Sequence, residues 1–390
     1  MIKVISSEKK PIKMWLDDIE EEALSQLKDL ANFPFTFKWP CAMPDGHLGY
    51  GMPIGGVLAT TDGIIIPNAV GQDQGCGVRF VRLSITHISK DTIKNVFALI
   101  RRVVPVGFKH HKSAQDWDGF NEAPDTNILQ DLIPSAKKQL GTLGSNNHFI
   151  EIQKGDDGHI GVMLHTGSRN FGYRLATYYA KLAKKMCMKW ASDIPTMELA
   201  FLPIDTKEGK EYFNSMNFCL AFAKENRRLM MERIIESISK YVNISIEHEV
   251  DIHHNYATFE NHYGKNVIVH RKGATRAYEG QEGIIPGSVG SNSYIVEGLG
   301  NPESFKSCSH GAGRSMSITK AKKDLDLKKE QELVKDIVFD INSQQDLGES
   351  TGAYKNVYTV MENQMDLIKI KTELTTLGLI KEQSRTKRRK

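Results

Sequence analysis

The alternation of apolar and polar residues predicts a strand-rich first part of the chain. Residues 1–35 fit a short strand followed by an amphipathic helix over Glu20–Leu30. Between Pro40 and Ile85, short runs rich in Gly, Val and Ile predict strands that are broken by glycine turns. These runs are Gly55–Ala59, Gly63–Ile66 and Val78–Leu83.

Apolar residues recur at helical spacing farther along the chain and predict long helices. The predicted helices are Ser89–Val103, Asn170–Ala191, Asp205–Val242, Ala321–Ile341 and Val357–Leu377. The predicted helix Asp205–Val242 opens with Asp205 and Glu208 at the spacing of a capping box. Strands and glycine turns return over Asn266–Ile295. Because strand-rich and helix-rich blocks separate instead of alternating, the predicted fold class is α+β.

Composition narrows the class of protein. The 390 residues are 40% hydrophobic and 25% charged, which is typical of a globular protein. No apolar run has the length of a membrane span, and the five scattered cysteines favour a reducing compartment, so we expect a cytoplasmic protein. The net charge of +4 is concentrated in a basic run at the C-terminus, for which we expect a solvated tail.

His310 lies in an unusual run, Ser309-His310-Gly311-Ala312-Gly313-Arg314. Glycines allow a ligand to approach the backbone closely, and an arginine fork suits a phosphate bound beside the ring. An imidazole can itself be the nucleophile of a covalent intermediate. This run therefore indicates a candidate nucleophile beside a phosphate group.

Candidate metal ligands are spread over four further segments. Asp73 and Cys76 stand three residues apart in a glycine-bounded loop, a spacing that lets a carboxylate and a thiol approach one cation. His148, His165 and the pair His253-His254 follow in polar, turn-like settings. Such a mixed donor set suits Zn, Fe, Co or Mn, and a bridging thiolate would allow a two-metal site for phosphoryl transfer.

Several familiar motifs are absent from the sequence. There is no CxxC pair, which argues against a zinc ribbon. His248-Glu249 is followed by Ile252, where the helix of a zinc protease needs its second histidine. The glycines of Gly49–Gly55 miss the dinucleotide fingerprint, and the sequence contains no Walker-type phosphate loop.

Taken in order, the motifs resemble the RtcB-type RNA ligases in their compact bacterial form. The matching segments are Met43–Gly51, Val70–Gly77, Gly141–Glu151, His165–Gly172, His253–Tyr256, Arg271–Ala277, Pro286–Gly290 and Ser309–Arg314. The resemblance implies a single ligase domain over residues 1–383, with β-sheets around a metal-lined cleft and peripheral helices. Residues 384–390 would form the basic tail.

The resemblance also assigns roles to residues. Two Mn²⁺ ions would be held by Asp73, Cys76, His148, His165 and His254, with Cys76 shared between them. His310 would be the nucleophile that takes GMP from GTP. The guanine nucleotide would be contacted by Asn147, Glu151, Ser288, His310, Tyr354 and Lys381. Arg169 and Arg314 would position phosphates and RNA ends, with Asn147 beside them.

The expected activity is GTP-dependent joining of an RNA 3′-phosphate, or 2′,3′-cyclic phosphate, to a 5′-hydroxyl in tRNA or rRNA repair or splicing. Two alternatives stay open at this point. One is a manganese-dependent phosphoesterase or an end-capping guanylyltransferase with weakened sealing, and the other is a non-catalytic RNA-binding module. We expect RNA but no membrane as a partner, a monomer, and no requirement for an activating protein.

Five positions depart from the family pattern. Gln74 replaces an apolar residue in the metal loop, and Ser145 and Asn146 replace glycines ahead of Asn147. Ile318 stands where a basic residue is common, and Thr351 replaces a proline. None of these changes removes an expected ligand or the nucleophile, so they suggest a divergent paralogue with its own RNA target.

Overall fold

The structure, a computed structural model, describes residues 1–383, and the predicted basic tail over 384–390 lies outside this range. The helices are α1 (Glu21–Asn32), α2 (Pro67–Val70), α3 (Lys90–Val103), α4 (Asn127–Gln139), α5 (Arg169–Lys189), α6 (Lys207–Ser239), α7 (Ile318–Asp324), α8 (Leu327–Leu333) and α9 (Val357–Glu362). The strands are β1 (Lys3–Ile5), β2 (Ile12–Met14), β3 (Thr36–His47), β4 (Ile54–Thr60), β5 (Ile64–Ile65), β6 (Gly77–Leu83), β7 (Phe149–Gly155), β8 (Ile160–Thr166), β9 (Leu202–Pro203), β10 (Ile246–His253), β11 (Asn255–His262), β12 (Lys265–Lys272), β13 (Ala274–Arg276), β14 (Glu282–Ile285), β15 (Ser293–Gly298), β16 (Ser307–Ser309) and β17 (Ile368–Lys381).

Two large sheets organise the fold. A six-stranded sheet has the order β1-β2-β3-β4-β12-β11, and a seven-stranded sheet has the order β10-β6-β8-β7-β17-β15-β14. Neighbouring strands in both sheets are antiparallel except β2 and β3, which run parallel. Antiparallel sheets combined with separate helical segments confirm the predicted α+β class.

Helix α6 lies between two parts of the hydrophobic core. Its Phe222 packs with aromatic residues of α5, including Phe171, in a core that also contains residues of the six-stranded sheet. Farther along, Met230 and Ile234 pack with residues of α3 and of β6, β7 and β8. Burial of each such side chain contributes roughly 1.5–3 kcal/mol to stability. The middle of α6 is thereby held rigidly beside the ends of strands in the seven-stranded sheet.

Most predicted elements are confirmed, within a few residues, by α1, α3, α5, α6 and the strands between Ile54 and Leu83. The capping box is wrong, because Thr206, not Asp205, caps α6 and accepts a hydrogen bond from the Gly209 N–H at 3.1 Å. The predicted helix over Ala321–Ile341 is reduced to α8 and the end of α7. Helix α4 and strands β3, β7, β8, β10 and β11 were not predicted.

The helix predicted over Val357–Leu377 is largely wrong. Only Val357–Glu362 is helical, and Ile368–Lys381 forms β17, which is hydrogen-bonded between β7 and β15. Its threonines favour extended backbone, and pairing on both edges overrides the helical spacing of its apolar residues. The division into a domain over residues 1–383 and a tail stays a prediction. Within residues 1–383, no helix combines the length and apolar character required to cross a bilayer.

Candidate active site and metal centre

The five candidate metal ligands lie together at one end of four neighbouring strands. Asp73 and Cys76 precede β6, His148 precedes β7, His165 lies near the end of β8, and His254 follows β10. These strands are adjacent in the order β10-β6-β8-β7. The antiparallel register explains the convergence, since the ends of adjacent strands meet at one edge of the sheet.

Their donor atoms are in mutual contact. Cys76 Sγ lies 3.4 Å from His148 Nε2 and 3.3 Å from His165 Nε2, and the ligand atoms of these three residues all lie within 4.8 Å of one another. His254 Nε2 is 3.3 Å from His165 Nε2, and Asp73 Oδ2 is 3.2 Å from His148 Nε2. The three-residue group is thus the centre of the cluster, and Asp73 and His254 extend it on two sides.

The electrostatics of this cluster fit a bound cation. Burial lowers the pKa values of His148, His165 and His254, so these imidazoles are neutral and can donate a lone pair. Burial alone would raise the pKa of Asp73, but contacts that include His148 and Arg169 hold it at about 2. Burial and the nearby Asp73 carboxylate raise the pKa of the Cys76 thiol, and a divalent cation at this position would deprotonate it.

Backbone carbonyls orient two of the imidazoles. His148 Nδ1 lies 3.1 Å from the Leu143 carbonyl oxygen, and His165 Nδ1 lies 3.2 Å from the Asn147 carbonyl oxygen. Donation of Nδ1–H to a carbonyl leaves the Nε2 lone pair free for a metal, as in many metal sites. Arg169 Nη1 lies 2.9 Å from the same His148 Nδ1. Because a guanidinium only donates, Nδ1 either accepts from Arg169 or donates to Leu143, and metal binding through Nε2 requires the second arrangement.

Two fully buried residues of α6 brace the segments that carry the ligands. Arg227 Nη1 donates to the carbonyls of Gly75 at 2.9 Å and Thr166 at 3.1 Å, and its other nitrogens bind the Asp251 carboxylate. Asn226 Oδ1 accepts from the Gly141 N–H at 2.7 Å. The metal loop, the end of β8 and the segment leading to His148 are therefore joined through one helix.

His310 is held by a carboxylate that was not among the predicted site residues. Asp45 is fully buried at the end of β3, and its Oδ2 lies 2.6 Å from His310 Nδ1 and 3.1 Å from the His310 backbone N. A carboxylate accepts hydrogen bonds only, so Nδ1 carries a proton, and in the neutral imidazole Nε2 then keeps its lone pair. Gly313, at φ +71°, permits the close approach of the two segments, because a Cβ there would lie 2.3 Å from the Asp45 carbonyl oxygen.

The predicted nucleotide contacts line one cavity of about 240 Å³. Its walls include Asn147, Glu151, Ser288, His310, Arg314, Tyr354 and Lys381. Burial raises the pKa of Glu151 to about 7, against hydrogen bonds from Thr376 and Gln153. Three of the polar groups converge on Glu349: Arg314 Nη1 at 2.9 Å, Lys381 Nζ at 3.3 Å, and the Tyr354 hydroxyl. The cavity therefore contains a preassembled network of charged groups.

A second cavity, of about 610 Å³, contains the metal-ligand cluster. Asp73, Cys76, His148 and His254 contribute to its walls. His310 and Asn147 border both this cavity and the nucleotide cavity. The rings of His310 and His254 are 4.7 Å apart between centroids. The candidate nucleophile thus stands where the two cavities meet.

The structure brings together every predicted site residue except Arg169, which borders neither cavity and lies behind the cluster, with its Nη1 2.9 Å from His148 Nδ1. Three contributors were missed. Asp45 could have been found, because it lies in the matching segment Met43–Gly51, but Arg227 and Glu349 gave no local signal. Their roles depend on contacts between segments that are distant in sequence.

Comparison with known proteins agrees with this geometry. A family profile described as "tRNA-splicing ligase RtcB" matches residues 26–119 and 110–382. The chain is 36% identical to "RNA-splicing ligase RtcB" of Escherichia coli K12, over 94% of this chain and 96% of the relative. It is 32% identical to "tRNA-splicing ligase RtcB" of Thermococcus kodakarensis, over 88% and 87%. These matches span the candidate ligands and His310, and the chain belongs to the RtcB tRNA-splicing ligase family.

Proposed function

We propose that this protein is a GTP- and Mn²⁺-dependent RNA ligase. It joins an RNA 3′-phosphate, or a 2′,3′-cyclic phosphate after its opening by water, to a 5′-hydroxyl in tRNA or rRNA repair or splicing. The reaction proceeds through GMP bound covalently to His310. The names of the relatives, which describe splicing ligases, favour joining over end-capping alone.

One observation carries the proposal. His310 stands between a cavity that holds the metal-ligand cluster and a cavity lined by groups suited to a guanine nucleotide. Asp45 holds one ring nitrogen, Nδ1, at 2.6 Å, and in the neutral ring the other nitrogen, Nε2, then has its lone pair available. A phosphate bound across this junction would meet a nucleophile, a cation site and anion-binding groups at once, which is the requirement for phosphoryl transfer.

In the first step, His310 Nε2 attacks the α-phosphorus of GTP. A P–N bond forms, the P–O bond to the β-phosphate breaks, and pyrophosphate leaves. The ring becomes positively charged during attack, and the Asp45 carboxylate at 2.6 Å stabilises that charge through Nδ1–H. Asp45 acts as an orienting group for the nucleophile and does not need to accept the proton.

Recognition of guanine would use the opposite end of the cavity. The Glu151 carboxylate can accept hydrogen bonds from the two N–H groups on the Watson–Crick edge of guanine, and adenine lacks this donor pair. Ser288, Tyr354 and Lys381 would complete the nucleotide contacts. Two Mn²⁺ ions held by Asp73, Cys76, His148, His165 and His254, with Cys76 shared, would supply Lewis-acid polarisation of the phosphates.

Two further transfers complete the reaction. An oxygen of the RNA 3′-phosphate attacks the guanylate, a P–O bond forms, and the P–N bond to His310 breaks. The RNA 5′-hydroxyl then attacks the 3′-phosphate and loses its proton to solvent, while GMP leaves. Asn147 and Arg314 are placed to position these phosphates, and Arg169 could join them after leaving His148.

The direct test follows GMP from GTP to RNA. Protein incubated with labelled GTP and Mn²⁺ should form an acid-labile adduct, and added RNA with 3′-phosphate and 5′-hydroxyl ends should be joined. His310→Ala should lose the adduct while keeping its metal content, and His87→Ala, at an exposed histidine, should behave as wild type.

Each failure has a distinct meaning. An adduct at wild-type level in His310→Ala would assign the nucleophile to another residue. RNA that is capped by GMP but not joined would favour the guanylyltransferase alternative. Absence of the adduct in the wild-type protein with Mn²⁺ present would overturn the proposed chemistry and leave an RNA-binding module.

A further inference from the structure

A large cavity next to the nucleotide cavity has no role in the proposed reaction steps. It has a volume of about 760 Å³ and borders the nucleotide cavity, with which it shares Asn146, Ile318, Glu349 and Lys381. It contains neither His310 nor any of the proposed metal ligands. We call it the outer groove, and its position suggests that it accepts a part of the substrate that continues beyond the reacting ends.

An exposed aromatic ring stands on the wall of the outer groove. Phe108 is 87% exposed, the highest value among the large hydrophobic residues of the described chain. Its loop is fixed, because the Gly107 N–H donates to the Gly144 carbonyl at 2.7 Å and the Leu143 N–H donates to the Pro105 carbonyl at 3.0 Å. An apolar ring held in solvent by a well-anchored loop indicates a stacking partner.

Basic side chains line the outer groove together with this ring. Arg101, Lys109 and Lys322 are among them, and none of the three forms an ion pair within residues 1–383. Three carboxylates also line the groove: Glu349, which is neutralised by Arg314 and Lys381, and Asp346 and Glu382. Cations without an ion pair and an exposed aromatic ring are the groups that bind single-stranded nucleic acid without reading its sequence.

We propose that the outer groove binds single-stranded RNA next to the break, with a base stacked on Phe108 and phosphates near Arg101, Lys109 and Lys322. The proposal rests on the proposed ligase function, because it supplies a path for one of the two RNA strands that such an enzyme must hold. The strand belongs either to the 3′-phosphate end or to the 5′-hydroxyl end.

Asn146 marks the point where this path reaches the site. It is the residue before Asn147 and lines the outer groove, the nucleotide cavity and the metal cavity. Its φ of +60° is a left-handed conformation, which asparagine tolerates better than most residues. An exposed amide at this junction offers both a donor and an acceptor to RNA as it passes toward His310.

The experiment measures RNA binding and the GMP adduct separately. Two oligonucleotides of about eight nucleotides, one ending in a 3′-phosphate and one beginning with a 5′-hydroxyl, are titrated by fluorescence anisotropy. Phe108→Ala should weaken binding of one of them about tenfold, whereas Phe108→Trp should preserve it. The oligonucleotide that responds identifies the strand. GMP adduct formation should be unchanged in both variants, because GTP binds in the other cavity.

The lysines of the outer groove are tested by the salt dependence of RNA binding. The double variant Lys109→Glu, Lys322→Glu should reduce the slope of log affinity against log salt by about 1 to 2. Tyr241→Ala, at a tyrosine that is 48% exposed just after α6, is the matched aromatic control for Phe108→Ala. It should change neither the affinity for the oligonucleotides nor the salt dependence of that affinity.

The outcomes separate this proposal from the ligase itself. If wild-type protein joins RNA but Phe108→Ala binds both oligonucleotides normally, the outer groove is not the RNA path and the ligase function stands. Loss of the GMP adduct in Phe108→Ala would also contradict the assignment of the outer groove to RNA, because Phe108 would then affect the nucleotide cavity. A wild-type protein that joins no RNA would count against the ligase function.

Discussion

The metal-ligand cluster and the nucleotide cavity are neighbours that are stabilised in opposite ways. The cluster is buried, and its segments are fixed from behind by backbone carbonyls and by Asn226 and Arg227 of α6. In the nucleotide cavity, Arg314, Tyr354 and Lys381 instead bind the Glu349 carboxylate, which itself lines the cavity. The cluster is thus braced from outside its ligand set, whereas this part of the nucleotide cavity is held by a group inside it.

Because of this difference, the metal-ligand cluster and the nucleotide cavity should respond differently when a ligand binds. Donor atoms 3.3–3.4 Å apart around Cys76 need little rearrangement to take up a cation. A nucleotide bound as proposed would compete with the Glu349 carboxylate for Arg314, Tyr354 and Lys381. We therefore expect metal affinity to depend on the framework around the cluster, and nucleotide affinity to depend on charge within the cavity.

Removal of the central ligand should have the largest effect. Cys76→Ala takes away the donor that contacts both His148 and His165, so metal stoichiometry should fall and joining activity should be lost. The measurement is elemental analysis of the purified protein after loading with Mn²⁺. Cys187→Ala, at a buried cysteine of α5, should retain its metal. Equal metal content in the two variants would exclude Cys76 as a ligand.

The framework is tested next. Arg227→Met removes the donor to two backbone carbonyls and the nearest cation of the Asp251 carboxylate, whose other cation, Arg79, is 3.7 Å away. The free energy of unfolding should therefore fall by about 3–5 kcal/mol. The neighbouring Arg228 is exposed and pairs with Glu225 and Glu232, so Arg228→Met should cost less than about 1 kcal/mol. Both values come from urea denaturation. Similar values would mean that α6 does not brace the cluster.

The nucleotide cavity should respond to pH through Glu151. The pKa of this carboxyl is raised by burial to about 7, so it is ionised above that pH and protonated below it. Protonation removes an acceptor for guanine, so GTP affinity should decrease as pH falls, by about tenfold one unit below the pKa. Glu151→Gln should bind GTP weakly and lose most of this dependence. GTP binding is measured for the wild-type protein and for Glu151→Gln between about pH 6 and 8. An equal pH dependence of the two affinities would contradict the role of Glu151.

The smallest effect is expected at the border of the nucleotide cavity. Ile318 is 36% exposed and lines both this cavity and the outer groove. Ile318→Arg should strengthen RNA binding severalfold and make its salt dependence steeper by about 1, because it adds one phosphate contact. Ile370→Arg, at an equally exposed isoleucine of β17, provides the control. Equal effects of the two variants would reflect net charge alone.

Motifs in the sequence pointed to five residues that the structure brings together, because each of them lies in a short polar segment next to a strand end. Their convergence then follows from strand order, which no local pattern contains. Asp45 shows the limit: its motif was recognised, but its partner His310 is 265 positions away. Arg227 was hidden for a similar reason, because arginine on a long helix usually faces solvent.

The error at β17 has a different origin. Leu367, Ile370 and Leu374 recur at spacings of three and four residues, as in an amphipathic helix, so periodicity favoured the wrong structure. The deciding factor was the presence of β7 and β15 on either side of the segment.

Thr351 is a departure from the family pattern that has a structural role. Its hydroxyl accepts a hydrogen bond from the Gly290 N–H at 3.0 Å, so it supports the loop that carries Ser288.

The contact between Asp45 and His310 determines which chemical isomer can form. In the proposed reaction Nδ1 is engaged by a buried carboxylate, so the guanylate would attach through the far nitrogen, as a tele-phosphoramidate. The regiochemistry of the modified ring, which phosphorus–proton couplings reveal in a digested peptide, is therefore a molecular record of how these two segments pack.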